Sequence, residues 1–246
     1  MEKISAIVIT KNEEKNIEQC LGSINWADEI IVVDSESEDK TIKLAKKFTD
    51  KLFIKKWEGY VPQKRYALSF ASCEWVLHID ADERISPELK EEIIKKEPDS
   101  LDGFIIRRKN YFFDKEITTC GWNKDYQLRL FRKSKTTLNE KLVHEGFVVE
   151  GKTGKLENVI IHNTFSSLHN YLKKVNEYTS LRAEEVYKSK SKVTALTILT
   201  HTVSAFFRYF ISLKGFKDGM HGLIISFVNS VSTMLTYVKI WEKQRR

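Results

Sequence analysis

Cysteine is scarce in this 246-residue chain and poorly placed for structure: Cys20, Cys73 and Cys120 are odd in number, far apart and without metal-ligand spacing. That argues against a disulfide framework or a zinc module and fits reduced thiols in a cytoplasmic setting. A cleavable signal pattern is lacking, since Met1-Glu2-Lys3 runs straight into a short apolar segment. No internal repeat or low-complexity segment occurs. Evenly spread basic charge is lacking too: net charge is +7, yet residues 1–165 hold 28 Lys/Arg against 29 Asp/Glu, while residues 166–246 hold 13 against 5. A protein that coats nucleic acid is therefore not expected. The basic excess belongs to the C-terminal third, where anionic lipid is the partner to consider.

What is present is a series of apolar runs ending in polar residues. Ala6-Ile7-Val8-Ile9, Ile30-Ile31-Val32-Val33 and Trp75-Val76-Leu77-His78-Ile79 are continuous rather than alternating, the pattern of parallel strands covered on both faces. Helical spacing follows each of the first two, with Asn12 as N-cap of a helix carrying Ile17, Cys20, Leu21 and Ile24. Leu52-Phe53-Ile54 is a short strand, residues 63–70 a helix, and Ser86-Pro87-Glu88 opens another helix. Strands alternating with helices predict an α/β, Rossmann-like, mainly parallel sheet flanked by helices. Hairpins are expected over 104–117 and between 142–149 and 156–161. In the first, Arg107-Arg108-Lys109 is either a steering patch or a solvated charge run.

In such sheets ligands bind beyond the carboxyl ends of the strands. Thr10 to Glu13, Asp34 and the pair Asp80/Asp82 all fall there. Side chains two apart on a strand point the same way, so Asp80 and Asp82 converge if extended geometry persists. A hard cation, Mg²⁺ or Mn²⁺, shared with a nucleotide diphosphate then relieves their repulsion. A bare Asp-x-Asp is more often a solvated turn; its place after the largely apolar run Trp75–Ile79 favours the metal.

Ile7-Val8-Ile9-Thr10-Lys11-Asn12-Glu13, Ile31-Val32-Val33-Asp34-Ser35 and His78-Ile79-Asp80-Ala81-Asp82-Glu83 resemble the motifs of family 2 glycosyltransferases with the GT-A fold. The likeness is greatest to the subgroup that includes lipopolysaccharide core glucosyltransferases. It continues through Asp125-Tyr126-Gln127-Leu128-Arg129-Leu130-Phe131-Arg132, Val143-His144-Glu145 and Gly215-Phe216-Lys217-Asp218-Gly219. The chain departs after Asp34, where the family's Ser-Gly-Ser-Thr-Asp-Gly-Thr is Ser35-Glu36-Ser37-Glu38-Asp39-Lys40-Thr41.

The resemblance implies an inverting transferase that moves a sugar from a nucleotide-diphosphate sugar, a UDP-sugar, to a lipid-linked or lipopolysaccharide-type glycan. Thr10, Asn12, Glu13, Asp34 and Asp80 would meet the nucleotide, and Lys64 and Arg65 match the position that approaches the diphosphate. Asp82, assisted by Asp80 or His144, would hold the metal. Asp125 would be the base, with Glu145 the alternative; an Asp125–Arg129 ion pair on a helix is the structural alternative. Arg129 and Arg132 would contact phosphate or acceptor, or anchor the site. A non-catalytic nucleotide-binding adaptor is the competing function, favoured only by the Glu36/Glu38 loop.

Residues 1–165 read as the nucleotide-sugar-binding domain and 166–246 as a helical extension. Val193 to Phe207 has no formal charge, and Gly219 to Val238 has none either, His221 being its one basic side chain. The serines, threonines and Asn229 of the second stretch suit a lone membrane span poorly. Helices lying in the membrane interface on the cytoplasmic side, or a buried hairpin or homo-oligomer interface, are the two expectations.

Overall fold

The computed structural model describes residues 2–95, 100–139, 146–165, 167–187 and 192–245. The strands are β1 (Ile4–Thr10), β2 (Glu29–Asp34), β3 (Leu52–Ile54), β4 (Trp75–Asp80), β5 (Glu83–Ile85), β6 (Gly103–Phe112), β7 (Lys115–Glu116), β8 (Tyr126–Arg132), β9 (Thr136–Leu138), β10 (Phe147–Val149) and β11 (Thr153–Phe165). The helices are α1 (Ile17–Ser23), α2 (Thr41–Ala45), α3 (Tyr60–Ser69), α4 (Pro87–Lys95), α5 (Leu168–Val186), α6 (Ala195–Phe207) and α7 (Met220–Arg245). Two compact units result. Among the described residues one comprises 2–109, 125–139 and 146–162, and the other 110–124 and 163–245, so that Asn110–Lys124 groups with the C-terminal helices.

The main sheet has the order β3-β2-β1-β4-β8-β6-β11-β5, with β7 paired to β6. Its first four strands are parallel, and β8 runs antiparallel to both β4 and β6. The apolar runs are continuous because both faces are covered. Ala6, Val8, Val32, Leu77 and Ile79 pack with Ile17, Leu21, Leu89 and Ile93 on one side, while Ile7, Ile31, Val33 and Val76 pack with Ala67 and Phe147 on the other. Each such side chain contributes about 1.5–3 kcal/mol through burial.

Two local expectations are corrected. α1 begins at Ile17 after Asn16, so Asn12 is not its cap; Asn12 sits in the left-handed region, φ 54°, within the preceding loop. β10 pairs with β9 instead of forming a hairpin with β11, because β11 is drawn into the main sheet beside β5. The hairpin over 104–117 forms as β6 and β7, and Ser86 Oγ accepts the Leu89 N–H at 3.1 Å at the start of α4.

In the second unit Asp218 is buried and accepts from Thr118 N (3.0 Å), Thr119 N (3.0 Å) and Thr119 Oγ1 (2.6 Å). Gly222 of α7 crosses Gly215 so closely that a Cβ would lie 1.8 Å from the Gly215 carbonyl oxygen. The polar groups of α7 are satisfied along the helix or by neighbours: Ser226 donates to Gly222 O, Asn229 to Ile225 O and Ser230 to Thr202 O. By length and composition alone, α7 is long and apolar enough to cross a membrane, but it buries Ile225, Ser226, Val228 and Ile240 within its unit.

Candidate active site at the strand ends

The first two strand-end loops are stitched together by side chains. Thr10 lies opposite Asp34 in the β1–β2 register. Beyond them Asn12 N donates to Ser37 Oγ (2.8 Å), Glu38 N to Asn12 Oδ1 (2.9 Å) and Glu13 N to Thr41 Oγ1 (2.8 Å). Asp34 is buried and accepts from Ser37 N (2.7 Å) and Ser37 Oγ (2.6 Å). Glu36, where the resembling family has glycine, keeps the left-handed conformation at φ 60°, whereas Lys40, the second lost glycine, sits at φ −80°. Only one of the two substitutions therefore carries backbone strain. Thr10 Oγ1 and Gln63 Oε1 are buried without a hydrogen-bond partner among the described residues. Buried polar atoms are normally satisfied, so both mark this edge as shaped for a polar ligand.

Next to these loops five charged side chains alternate in sign. Arg129 Nη2 donates to Asp80 Oδ2 and to Glu83 Oε1, each at 2.5 Å. Arg108 Nη1 reaches the same Glu83 oxygen at 3.1 Å, and its Nε and Nη2 lie 2.8 and 2.7 Å from Asp125 Oδ2. Gln127 donates to Asp125 Oδ1 at 2.9 Å. The sequence Asp80–Arg129–Glu83–Arg108–Asp125 arises because β8 lies between β4 and β6, with Arg107 opposite Tyr126.

Burial pushes the Asp80 carboxyl up, but Arg129, with Lys64 adding, holds it well below the usual range. Glu83 is fully buried; burial and the Asp80 charge outweigh its arginines and raise it. His78 stays neutral, since burial and then Arg129 lower it well below its ordinary value. Arg129 Nη1 donates to His78 Nδ1 at 2.6 Å, so the imidazole proton sits on Nε2, 3.6 Å from Asp80 Oδ1. The Cys20 thiol, raised by burial and then Glu83, remains protonated beneath this cluster.

The two acids of the Asp-x-Asp are held differently. β4 ends at Asp80 and a turn follows, so the strand period does not carry through to Asp82 as expected. Asp80 is engaged by Arg129, whereas Asp82 Oδ2 lies 3.4 Å from His162 Nε2, brought there by the pairing of His162 with Glu83 between β11 and β5. No group of three or more metal-ligating side chains occurs among the described residues. A carboxylate with an imidazole nonetheless fits a divalent ion that takes its other ligands from diphosphate oxygens. Asp82 and His162 could hold it, while Asp80, the other expected ligand, has Oδ2 committed to the Arg129 guanidinium.

Other expected residues divide. Lys64 is buried on α3, and its charge acts on both Asp80 and His78. Arg65, about 100° further round the helix, is exposed. Arg129 is a buried anchor and not an exposed phosphate ligand, and its predicted helical pairing with Asp125 is replaced by strand geometry. Arg132 is a correction: it pairs with Trp75 at the start of β4, the opposite end of the sheet from Asp80, and stacks on that indole at 4.7 Å. His144 and Glu145 lie outside the described residues. Residue reasoning missed Glu83, Arg108, His78 and His162. Arg108 was legible only as part of a charge run, and His162 as a lone histidine in an apolar strand.

A mostly parallel α/β sheet with acids gathered at its carboxyl edge is the architecture of a nucleotide-dependent enzyme. The model of glycosyl transferase family 2 matches residues 5–151. The chain belongs to that family; it is a glycosyltransferase with the GT-A fold. An uncharacterised glycosyltransferase of Rickettsia felis is 31% identical over 98% of this chain and 90% of its own length. The lipopolysaccharide core biosynthesis glycosyltransferase LpsC of Rhizobium meliloti is 29% identical over 98% of this chain and 92% of its own. Among solved structures, S. aureus TarS 1–349 in complex with UDP aligns with a TM-score of 0.49 at 17% identity, covering 99% of this chain and 91% of that one.

Proposed function

We propose that this glycosyltransferase moves a sugar from a UDP-sugar to a lipid-linked or lipopolysaccharide-type glycan, with inversion, at the cytoplasmic surface of a membrane. The observation that carries the reading is the Asp125 carboxylate, fixed through Oδ2 by Arg108 and bonded through Oδ1 to Gln127, so that its position is set from both oxygens. In a direct displacement the acceptor hydroxyl attacks the anomeric carbon and the nucleoside diphosphate leaves from the opposite face. The acceptor proton passes to Asp125. The orphaned Thr10 hydroxyl and the Asp34 edge suit a base and ribose, and Lys64 suits the diphosphate through charge-assisted contact. A divalent ion held by Asp82 and His162 would supply Lewis-acid stabilisation of the departing diphosphate. Similarity to LpsC supports the acceptor class, and the basic C-terminal helices support the membrane.

Release of UDP from a panel of UDP-sugars, with Mn²⁺ and a lipid-linked glycan, tests this. Turnover with inverted product, lost in Asp125→Asn and kept in Arg132→Ala, is expected. Full activity of Asp125→Asn would remove it as base, and a retained anomeric configuration would refute direct displacement. Against the adaptor reading stand the match to the glycosyltransferase family and the backbone of Glu36, which keeps the conformation a glycine there would adopt.

A further inference from the structure

α6 is an unusual helix for a folded unit. It carries no charged residue, and none of its side chains is buried. An apolar helix ordinarily turns a face into a core, because leaving such side chains in water forfeits about 1.5–3 kcal/mol each. Leu196, Leu199, Val203 and Phe207 recur every three or four residues and so form one stripe; they are 69%, 61%, 46% and 56% exposed. Exposed Ile211 and Phe216 follow on in the chain. Packing is done by other positions of the helix: His201 stacks on Tyr237, and the Thr202 carbonyl accepts from Ser230.

The charges that flank this stripe along the chain are basic. Arg208, Lys214 and Lys217 are exposed beyond one end of α6. Lys192 is exposed at the other, beside an open depression that it lines with Trp241 and Arg245. Residues 192–217 contain no acid, and the next one, Asp218, is buried and committed to Thr118 and Thr119. The thirteen residues of α6 make about 20 Å and the π-helical turn that continues it, Arg208–Ser212, begins with a charged residue, so the charge-free helix is too short to cross a hydrocarbon layer of about 30 Å.

We propose that α6 is the membrane contact of this protein, its Leu196–Leu199–Val203–Phe207 stripe lying flat in the acyl boundary of an anionic bilayer, with Lys192 and the Arg208/Lys214/Lys217 group on headgroup phosphates. This deepens the membrane-surface reading above and rests on it, not on the transfer chemistry. A second copy of the chain fits the stripe less well. An isologous antiparallel pairing would bring Lys192 of one copy toward Arg208 and Lys214 of the other, with no acid between them. Phosphate headgroups supply the missing sign.

Co-sedimentation of the full chain with vesicles tests this, comparing pure phosphatidylcholine with phosphatidylcholine containing phosphatidylglycerol. Binding to the anionic vesicles that weakens with salt is expected. Leu199→Glu with Phe207→Glu should lower it at least tenfold, and Lys214→Gln with Lys217→Gln by roughly fivefold per lysine. Circular dichroism and UDP release in solution should be unchanged in all of these variants, which separates the anchor from the donor site. Equal binding by wild type and the Glu pair overturns the α6 assignment while leaving membrane attachment standing. No binding of the wild type to either vesicle overturns both, and a dimer dispersed by the Glu pair then gives the stripe to a second copy.

Discussion

Replacing Arg129 by Met removes the one guanidinium that Asp80 and Glu83 share, while filling much of its volume. Breaking a buried ion pair from one side costs about 3–5 kcal/mol. The lower end applies here, because Asp80 is 32% exposed although Glu83 is fully buried. The sign of the pH dependence is the sharper test. In the wild type Asp80 lies below its ordinary value, so its contribution is present above about pH 4 and is lost as pH falls through the lowered value. Glu83 is raised, so its ionisation opposes folding as pH climbs past about 4.5. Without Arg129, burial is opposed on Asp80 chiefly by Lys64 and on Glu83 by Arg108, both carboxyls shift upward, and the folded variant binds more protons than its unfolded chain near pH 5. Its stability then falls with rising pH, by up to about 1.4 kcal/mol per pH unit for each proton. Urea midpoints followed by tryptophan fluorescence at pH 5 and pH 8 should show a wild-type advantage that is large at pH 8 and smaller at pH 5. An equal gap at both values would refute the compensation of these carboxylates by Arg129. Arg129→Lys, which keeps the charge without the fork, should fall between the two.

Calorimetry with Mn²⁺ and UDP should lose metal-linked binding in Asp82→Ala and weaken by on the order of tenfold or more in His162→Ala; unchanged affinity in both would remove the metal from this pair. Glu36→Gly relieves a left-handed cost of about 1–2 kcal/mol against a glycine entropy cost of about 0.5–1 kcal/mol. Thermal unfolding should therefore show a stabilisation of up to about 1 kcal/mol, and a loss of stability would contradict the φ of 60° at that residue. Gly222→Ala places a methyl 1.8 Å from a backbone oxygen that cannot swing aside, so the second unit should lose more than about 3 kcal/mol, read by circular dichroism, or fail to fold.

The parallel half of the sheet was readable because each strand is a local signal: four or five apolar residues covered on both faces, then a polar stop such as Thr10 or Asp34. Its alternation with helices fixed the class. The charged cluster was not readable, since it depends on how β8 and β6 insert beside β4, with a register irregularity between Phe104 and Ile105 that no local pattern announces. The helical alternative for Asp125 made it and Arg129 neighbours four apart. As a strand they have different partners, and Arg129 and Arg132, an odd number apart, face opposite sides. His162 meets Asp82 from eighty residues away through an antiparallel edge pair, and single-residue chemistry gives no hint of that. The α6 stripe was visible as a charge-free run, but whether such a run is core or surface is a property of what packs on it.

The order in which the charged cluster is synthesised has its own consequence. Asp80 and Glu83 precede Arg129 by 49 and 46 residues. At ribosomal rates of about 5–20 residues per second, they wait roughly 2–10 s for their main counter-charge. During that interval β1 to β4 are already available to pair, yet Glu83 cannot be buried ionised without its arginines. The charged cluster at the donor edge thus closes only after the parallel strands β1 to β4 have been made. A nascent chain released before β8 emerges would carry a nearly complete parallel sheet and no competent sugar-nucleotide edge.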